Sequence, residues 1–294
     1  MSGVVVEAAP GIRRLRPAEF PELLRQIHDP PCALYLRGVG EVDLLARPAV
    51  AIVGARACSP YGAQVARMLG RELAAVGLVV VSGLARGVDS EAHRGALEAD
   101  GATVAVLGCG IDRDYPAAHA DLARRICERG LVVSEYEPGV EPAPWRFPAR
   151  NRIIAGLAAA TVIVEARERS GALITADFAL EDGREVFAVP GEITASLAAG
   201  TNRLLWQGAT PLTSATDVLE VFGLVAVPAA QLPVLGATAT RVLDRLVESS
   251  ATADELARAT GLDAGPLAAA LVELEIAGLV GEADGRYRGV RPPD

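Results

Sequence analysis

From Ala49 to Val189, short runs rich in valine, isoleucine and leucine alternate with segments of helical periodicity, and this alternation restricts the fold more than any other feature. The runs are Val50–Val53, Leu78–Val81, Thr103–Leu107, Leu131–Val133, Thr161–Val164 and Val186–Val189. They are apolar nearly throughout, without a polar alternate, which is the pattern of strands covered on both faces. Helical segments fall between them at Tyr61–Ala75, Ser90–Ala99, Ala118–Glu128, Asn151–Leu157 and Leu173–Glu181. Repeated strand–helix units predict an α/β fold, a doubly wound parallel sheet with right-handed crossovers.

The flanks read differently. Residues 1–45 hold a short helical pattern (Phe20, Leu23, Leu24, Ile27) and a candidate edge strand, Ala33–Leu36, and are expected to pack on the sheet as an extension of it. Residues 223–236 are rich in Ala and Pro without periodicity, which marks a linker. Residues 237–294 then form a small second domain. A helix around Val242, Leu243, Leu246 and Val247 is followed by Thr252 and Glu255, the spacing of a capping box for a second helix that Gly261 ends. Asp263 opens a third helix with Leu267, Leu271 and Leu274 on one face, ended by Gly278, and Asp284-Gly285 signals a hairpin turn. Three helices and a hairpin spell a winged helix.

Composition removes several chemistries. All 28 basic residues are arginine, so Schiff-base catalysis, a lysine base and a phosphate-binding Walker lysine are excluded. Cys32, Cys58, Cys109 and Cys127 form no C-x-x-C pair, which predicts reduced packing thiols and no zinc site. The start of the chain lacks a signal-peptide pattern, and the longest uncharged run, Val221–Thr240, is broken by Pro228, Gln231 and Pro233, so a cytoplasmic protein with no membrane partner is expected. A net charge of −9 means that any anion site must be a local cationic cleft.

In a doubly wound sheet ligands lie beyond the carboxyl ends of the strands, and four such loops stand out. The first carries Gly54 and Arg56, in a stretch from Leu44 to Arg71 that has no acid. The second runs Ser82, Gly83, Leu84, Ala85, Arg86, Gly87, Val88, Asp89. Its glycines suit either tight strand-to-helix turns or backbone N–H groups presented to an anion. Asp89 and His93 share one helix face, and a cap plus a packing imidazole is preferred there over an acid–base or metal pair, because no further ligands lie near in sequence. The third loop lies in an acid-free stretch from Pro142 to Val164 and places Trp145, Arg146, Phe147, Arg150, Asn151 and Arg152 within eight residues. Guanidinium and aromatic groups interleaved in this way suit a single-stranded nucleic acid, with arginines on phosphates and rings on bases. The bland alternative has the rings plugging the sheet edge and Arg150 and Arg152 paired with acids such as Glu135. Three arginines without local countercharge favour the nucleic-acid reading. The fourth loop ends in Ser170-Gly171, which open a helix and offer further N–H donors. Pro190-Gly191 and Gly200-Thr201-Asn202 read as two more sharp turns on the same sheet edge.

The blocks VGAR (Val53–Arg56), SGLARGVD with AH (Ser82–Asp89, Ala92-His93), YP (Tyr115-Pro116), SE (Ser134-Glu135), FPARNRIIAGL (Phe147–Leu157), VEA with SGALITA (Val164–Ala166, Ser170–Ala176), VPG (Val189–Gly191) and GTN (Gly200–Asn202) resemble, in order, the bacterial DNA-processing protein A family, DprA/Smf. The resemblance spans residues 46–222 and implies an extended Rossmann-like domain that binds single-stranded DNA, protects it and helps load RecA recombinase in natural transformation. It further implies a homodimer; no cofactor is expected, and without a lysine or a Ser-His-Asp or metal-ligand cluster no catalytic residue is expected either. Carried over residue by residue, the DNA site comprises Arg56 of VGAR, Gly83 and Arg86 of SGLARG, and Phe147, Arg150 and Arg152 of FPARNR, with Arg146 where many members place a base. Gly54, Ser82, Gly87, Asn151, Ser170 and Gly171 complete the expected DNA-binding set. The helical domain that often precedes this region in the family is not expected in the 45 residues before it, and the role of the winged helix is left open, since only some members have one.

A competing reading is a nucleotide-binding or nucleotide-cleaving Rossmann-like enzyme. Phosphoribohydrolases of this type carry a PGGxGTxxE motif with a catalytic Glu, and Phe178 stands at that position here. A duplex-reading transcription regulator is equally poorly served. The third helix of the winged unit has Glu273 and Glu275 as its only charges, and residues 237–294 hold ten acids against six arginines. That unit is expected to contact protein, with Arg286, Arg288 and Arg291 as the exception.

Overall fold

The computed structural model describes residues 11–224, 235–277, 279–283 and 285–289. The chain divides into two compact units, residues 1–226 and 227–294.

In the first unit β1 (Ile12–Leu15), a short α1 (Glu22–Arg25) and β2 (Leu34–Arg37) precede the alternating core. The core runs β3 (Ala49–Val53), α2 (Pro60–Ala75), β4 (Val79–Ser82), α3 (Val88–Glu98), β5 (Thr103–Val106), α4 (Ala120–Cys127) and β6 (Leu131–Ser134). It continues with α5 (Arg146–Gly156), β7 (Ala160–Ile163), α6 (Gly171–Glu181), β8 (Glu185–Ala188), α7 (Ala199–Trp206), β9 (Thr210–Pro211) and α8 (Ala215–Val221). The strands lie in the order β1-β2-β6-β5-β4-β3-β7-β8-β9. All pairings from β6 to β9 are parallel, and β2 joins β6 antiparallel.

Alternate residues of one strand feed two separate cores. Val50 and Ile52 pack with Leu69 and Leu73 of α2 and Val88 and Ala92 of α3, whereas Ala49, Ala51 and Val53 pack with Ile153 and Ile154 of α5 and Ala176 of α6. Both faces are dry, so no polar alternate was required, and this is why the strands read as continuous apolar runs.

Three expectations need correction. Residues 33–36 are not an edge strand: β1, which carries two arginines and so does not read as a strand, lies outside β2. Gly200-Thr201-Asn202 is the first turn of α7, where Gly200 N donates to Ala166 O at 2.7 Å and Asn202 Nδ2 donates to Gly191 O at 3.0 Å. Cys32 is exposed and is no packing residue, whereas Cys109 is buried.

The second unit contains α9 (Ala237–Glu248), β10 (Ala251–Thr252), α10 (Ala253–Thr260), α11 (Ala264–Ile276), β11 (Val280–Ala283) and β12 (Arg286–Gly289). Its sheet order is β10-β12-β11, antiparallel. Thr252 and Glu255 form the reciprocal capping box of α10, and Gly261 ends that helix at φ +67°. Asp263 occupies the N-cap position of α11 without a side-chain cap bond. Val242, Leu246, Leu256, Leu267, Leu271 and Leu274 form this unit's own core. Gly278, Asp284 and Arg291, and residues 225–234 of the expected linker, lie outside the described residues.

Candidate nucleic-acid interface

The strand order reverses direction between β3 and β7, and there the loops beyond the strand ends part and leave a crevice. A pocket of about 280 Å³ opens at this point. Gly54 and Arg56 enter it from the end of β3, Asp89 from α3, Phe147, Arg150 and Asn151 from α5, and Ser170 and Gly171 from the start of α6.

Its floor is rigid and charged. Arg150 is 5% exposed, and its Nη1 donates to the carbonyls of Gly83 and Val106, while Nη2 lies 3.9 Å from Asp89 Oδ2. Burial disfavours both charges, pushing the Asp89 carboxyl up and pulling the guanidinium of Arg150 down to about 10. Gly83 is dictated by this contact, since a Cβ there would stand 2.3 Å from Arg150 Nη2. Gly87 caps α3 at φ +76°, where a Cβ would meet the Ala55 carbonyl at 2.3 Å. Between them Leu84 holds φ +58°, a left-handed conformation that its carbonyl keeps by accepting from His119 Nδ1 at 2.9 Å. The loop over Gly83–Gly87 is therefore held from both sides.

The rim is different. Arg56 is exposed, and its guanidinium stands 5.2 Å from the centroid of the Phe147 ring, against which Tyr115 stacks at 5.0 Å. Arg86 is exposed on the neighbouring loop, outside the pocket lining. Arg167 and Arg169 are exposed in the loop that leads to Ser170. None of these four arginines forms an ion pair among the described residues.

Other members of the expected set have different duties. Ser82 is fully buried, with its hydroxyl donating to the Ile52 carbonyl at 2.6 Å, so it ties β4 to β3 and does not face the crevice. Arg152 turns away: its Nη1 and Nη2 reach Glu135 at 2.9 and 2.8 Å, and its Nε reaches Asp29 at 3.0 Å. The expectation of three arginines without countercharge is thus corrected. The acids come from 17 and 123 residues away, beyond the reach of a local count. Asn151 donates to Gly171 O at 3.0 Å, and Ser170 caps α6 by accepting from Ala172 N at 3.3 Å, so both shape the start of α6. Arg146 donates to the Glu141 carbonyl and lies near two rings, 5.0 Å from the centroid of Tyr136 and 5.9 Å from that of Trp145.

A further correction concerns the segment from Trp145 to Arg150, read as a loop. It is the first turn and a half of α5, with Pro148 at a position whose missing N–H leaves no helical bond unmade. Asp89 likewise is the second residue of α3 and not its cap, Gly87 being the N-cap, and its carboxylate accepts from Ala85 N at 3.3 Å. His93 is the packing imidazole expected: it is fully buried, its Nδ1 is 2.7 Å from Thr103 Oγ1, and burial together with the charge of Arg150 brings it down to about 3. Among the described residues no group of three His, Cys, Asp or Glu side chains comes together as metal ligands. Tyr115, Arg167 and Arg169 were missed as site residues. The Tyr-Pro pair and the arginines ahead of Ser170 were the available signals.

Sheet, pocket and second unit together define a Rossmann-like α/β protein with a C-terminal winged helix. The chain belongs to the DprA family: the family model described as DNA recombination-mediator protein A matches residues 12–223, and that of the DprA winged helix domain matches residues 226–286. The DNA processing protein DprA of Streptococcus pneumoniae is 47% identical over 203 residues, which is 69% of this chain and 71% of that protein. The X-ray structure of DprA from S. pneumoniae superposes with a TM-score of 0.67 at 45% identity, covering 70% of this chain and 73% of the other. A structure that describes the single-stranded DNA binding mode of DNA processing protein A from Helicobacter pylori matches with a TM-score of 0.65 at 34% identity, covering 72% of this chain and 95% of that one.

Proposed function

We propose that this chain binds single-stranded DNA in the switch-point pocket without selecting bases, protects it, and passes it to a RecA-type recombinase during recombination and natural transformation. The observation that carries the reading is the rim: Arg56 without an ion pair beside the Phe147–Tyr115 stack, above a floor in which the buried Arg150 is set against Asp89. Arg56 and Arg86 meet phosphates, with Arg167 and Arg169 extending the track, and the start of α6 at Gly171 offers backbone N–H donors to another. Arg150 supplies shape from below, since its burial against Asp89 and two carbonyls keeps it from closing directly on a mobile strand. Gly54, Gly83 and Gly87 allow the loops around the pocket to pack on Val88, on Arg150 and on the Ala55 carbonyl, and so fix its shape. The lining presents no paired amide side chains arranged to read base edges, so binding is sequence-independent. The protein acts by binding and not by bond cleavage, which the aromatic Phe178 in place of a catalytic carboxylate supports.

The homodimer forms through the first unit. Trp206, at the end of α7 and 86% exposed, supplies an aromatic anchor of the kind enriched at interfaces. Two pockets on one dimer hold a strand at two points, raising affinity for longer oligonucleotides. The second unit contacts protein: α11 carries no cation, and Val272 and Ile276 on it are 52% and 84% exposed. The DNA-binding reading puts the site of action in the cytoplasm; among the described residues no helix is long and apolar enough to cross a membrane.

The test is a mobility-shift titration with matched single- and double-stranded oligonucleotides. Preferential retention of the single strand is expected, equal for different sequences. Equal or stronger retention of the duplex would refute the reading. A light-scattering mass of one subunit at micromolar protein would remove the dimer, and an unchanged lag of RecA filament growth on DNA-bound protein would remove the hand-over.

A further inference from the structure

We propose that Trp145, backed by Arg146 and Tyr136, is a second base-stacking platform, which receives a nucleotide outside the one held in the switch-point pocket. The proposal rests on the single-strand reading above and adds to it a position, a residue and a spectroscopic signature.

Trp145 is the N-cap residue of α5 and is 70% exposed, although the indole is the largest apolar side chain a protein has. Beside it the Arg146 guanidinium is 5.9 Å from its ring and 5.0 Å from that of Tyr136, so one cation serves two rings. The other two groups are fixed. Tyr136 is half-buried just beyond β6, with its backbone N–H donating to Ser134 Oγ at 3.0 Å, and Arg146 is held by the carbonyl of Glu141. Of the three, Trp145 is the exposed one, while Tyr136 and Arg146 are half-buried. An aromatic ring held in place beside a cation is what stacking on any nucleobase requires, because every base has a π-face whatever its edge.

The platform stands at the same helix start that lines the pocket. Trp145 and Phe147 are two residues apart at the start of one helix, and side chains at that spacing leave on nearly opposite sides. Phe147 lines the pocket, so Trp145 lies across the first turn of α5 from it. A strand leaving the pocket over this helix N-terminus, where the helix dipole favours its phosphates, meets the indole next. Phe147 itself is already in contact with Tyr115 and faced by Arg56, which leaves Trp145 as the more open of the two rings. Arg146 therefore acts as backing for a ring and not as a free phosphate clamp.

The chain has only two tryptophans, which makes the platform directly observable. Oligothymidylate should quench the intrinsic fluorescence of the wild type, and the quench should be missing from Trp145→Phe, in which Trp206 is the sole reporter. Trp145→Ala should weaken single-strand binding roughly 5- to 150-fold, the range for loss of one stacked base. Trp145→Phe should keep most of the affinity, and the slope of log affinity on log salt should be the same in all three proteins, since no phosphate contact is lost. Both variants should melt with the wild type, the side chain being exposed. Normal binding by Trp145→Ala, or no DNA-dependent quench attributable to Trp145 in a wild type that binds, overturns the platform and leaves the pocket reading intact. A quench that grows with protein concentration before DNA is added also overturns it, marking the face as a contact between copies. Failure of the wild type to bind single strands overturns the pocket reading as well.

Discussion

Helices α5 and α11 are the two elements that a nucleic-acid-binding account of their respective units singles out, and they are built in opposite ways. The first opens with Trp145, Arg146, Phe147 and Arg150 in an acid-free stretch and leads into the pocket at the sheet's switch point. The second occupies the recognition position of a winged helix, yet it carries two glutamates, no cation, and an outer face that includes Val272 and Ile276. A fold label alone points to α11, whereas the exposed arginine and its aromatic neighbours stand at the start of α5. What counts is whether positive charge and aromatic surface reach solvent without a partner. The same distinction recurs inside the site, where Arg150 and Arg56 differ far more in environment than in sequence setting.

The comparison is broken most severely at the floor. Replacing Arg150 by Ala removes the donor to two buried carbonyls and leaves Asp89 buried without its cation, which should cost about 3–5 kcal/mol of folding free energy. A large drop in the urea midpoint is expected, so this substitution reports on stability before it reports on binding. An unchanged midpoint would mean that Arg150 is a rim residue after all.

Next comes an acid sensitivity confined to the first unit. His93 is held near 3 when folded, against an ordinary 6.5, so it takes up its proton only on unfolding. A depressed folded value contributes stability that is complete above pH 6.5 and is lost as the pH falls toward 3. Between pH 7 and pH 5 that loss is about 2 kcal/mol, measurable by denaturant titration, and His93→Gln should flatten it. All three histidines lie before residue 227, so the fragment 237–294 should show no such slope over the same interval.

A smaller effect sharpens the rim. Arg56→Ala should leave the midpoint within about 0.5 kcal/mol of wild type. Single-strand affinity should fall roughly five- to tenfold for every sequence, and the salt slope should decrease by about 0.7, one phosphate contact's worth. A slope equal to that of the wild type would place the phosphates elsewhere. The smallest change is expected from removing the second unit: truncation after Gly223 should alter single-strand affinity by less than about twofold, because residues 237–294 carry ten acids against six arginines. Duplex binding by the fragment 237–294 at micromolar concentration and physiological salt would reverse the comparison and turn attention to Arg286 and Arg288.

The strands were legible because parallel strands buried on both faces are uninterrupted apolar runs. The same property concealed which way Ser82 points, since period-two alternation carries no information when both sides are dry. The start of α5 was illegible for a different reason: Pro148 and the aromatics around it resemble a loop, and only the geometry of a first helical turn tolerates a proline there. Tyr115 carried too weak a local signal, because its partner Phe147 lies far along the chain.

By itself the sequence determined the alternating core, the motif order that marks the family, the capping box of α10, and the contrast between a basic α5 and an acidic α11. These follow from local periodicity, from spacing along one element and from counting charges on it. Only the tertiary structure decided which arginines remain available to a ligand. Arg152 is neutralised by Glu135 and Asp29, Arg150 is buried against carbonyls and Asp89, Arg146 is held by the Glu141 carbonyl near two rings, and Arg56 is left to solvent. The reason is physical: a guanidinium's availability depends on the oxygens and rings within a few ångströms of it, and packing brings these from anywhere in the chain.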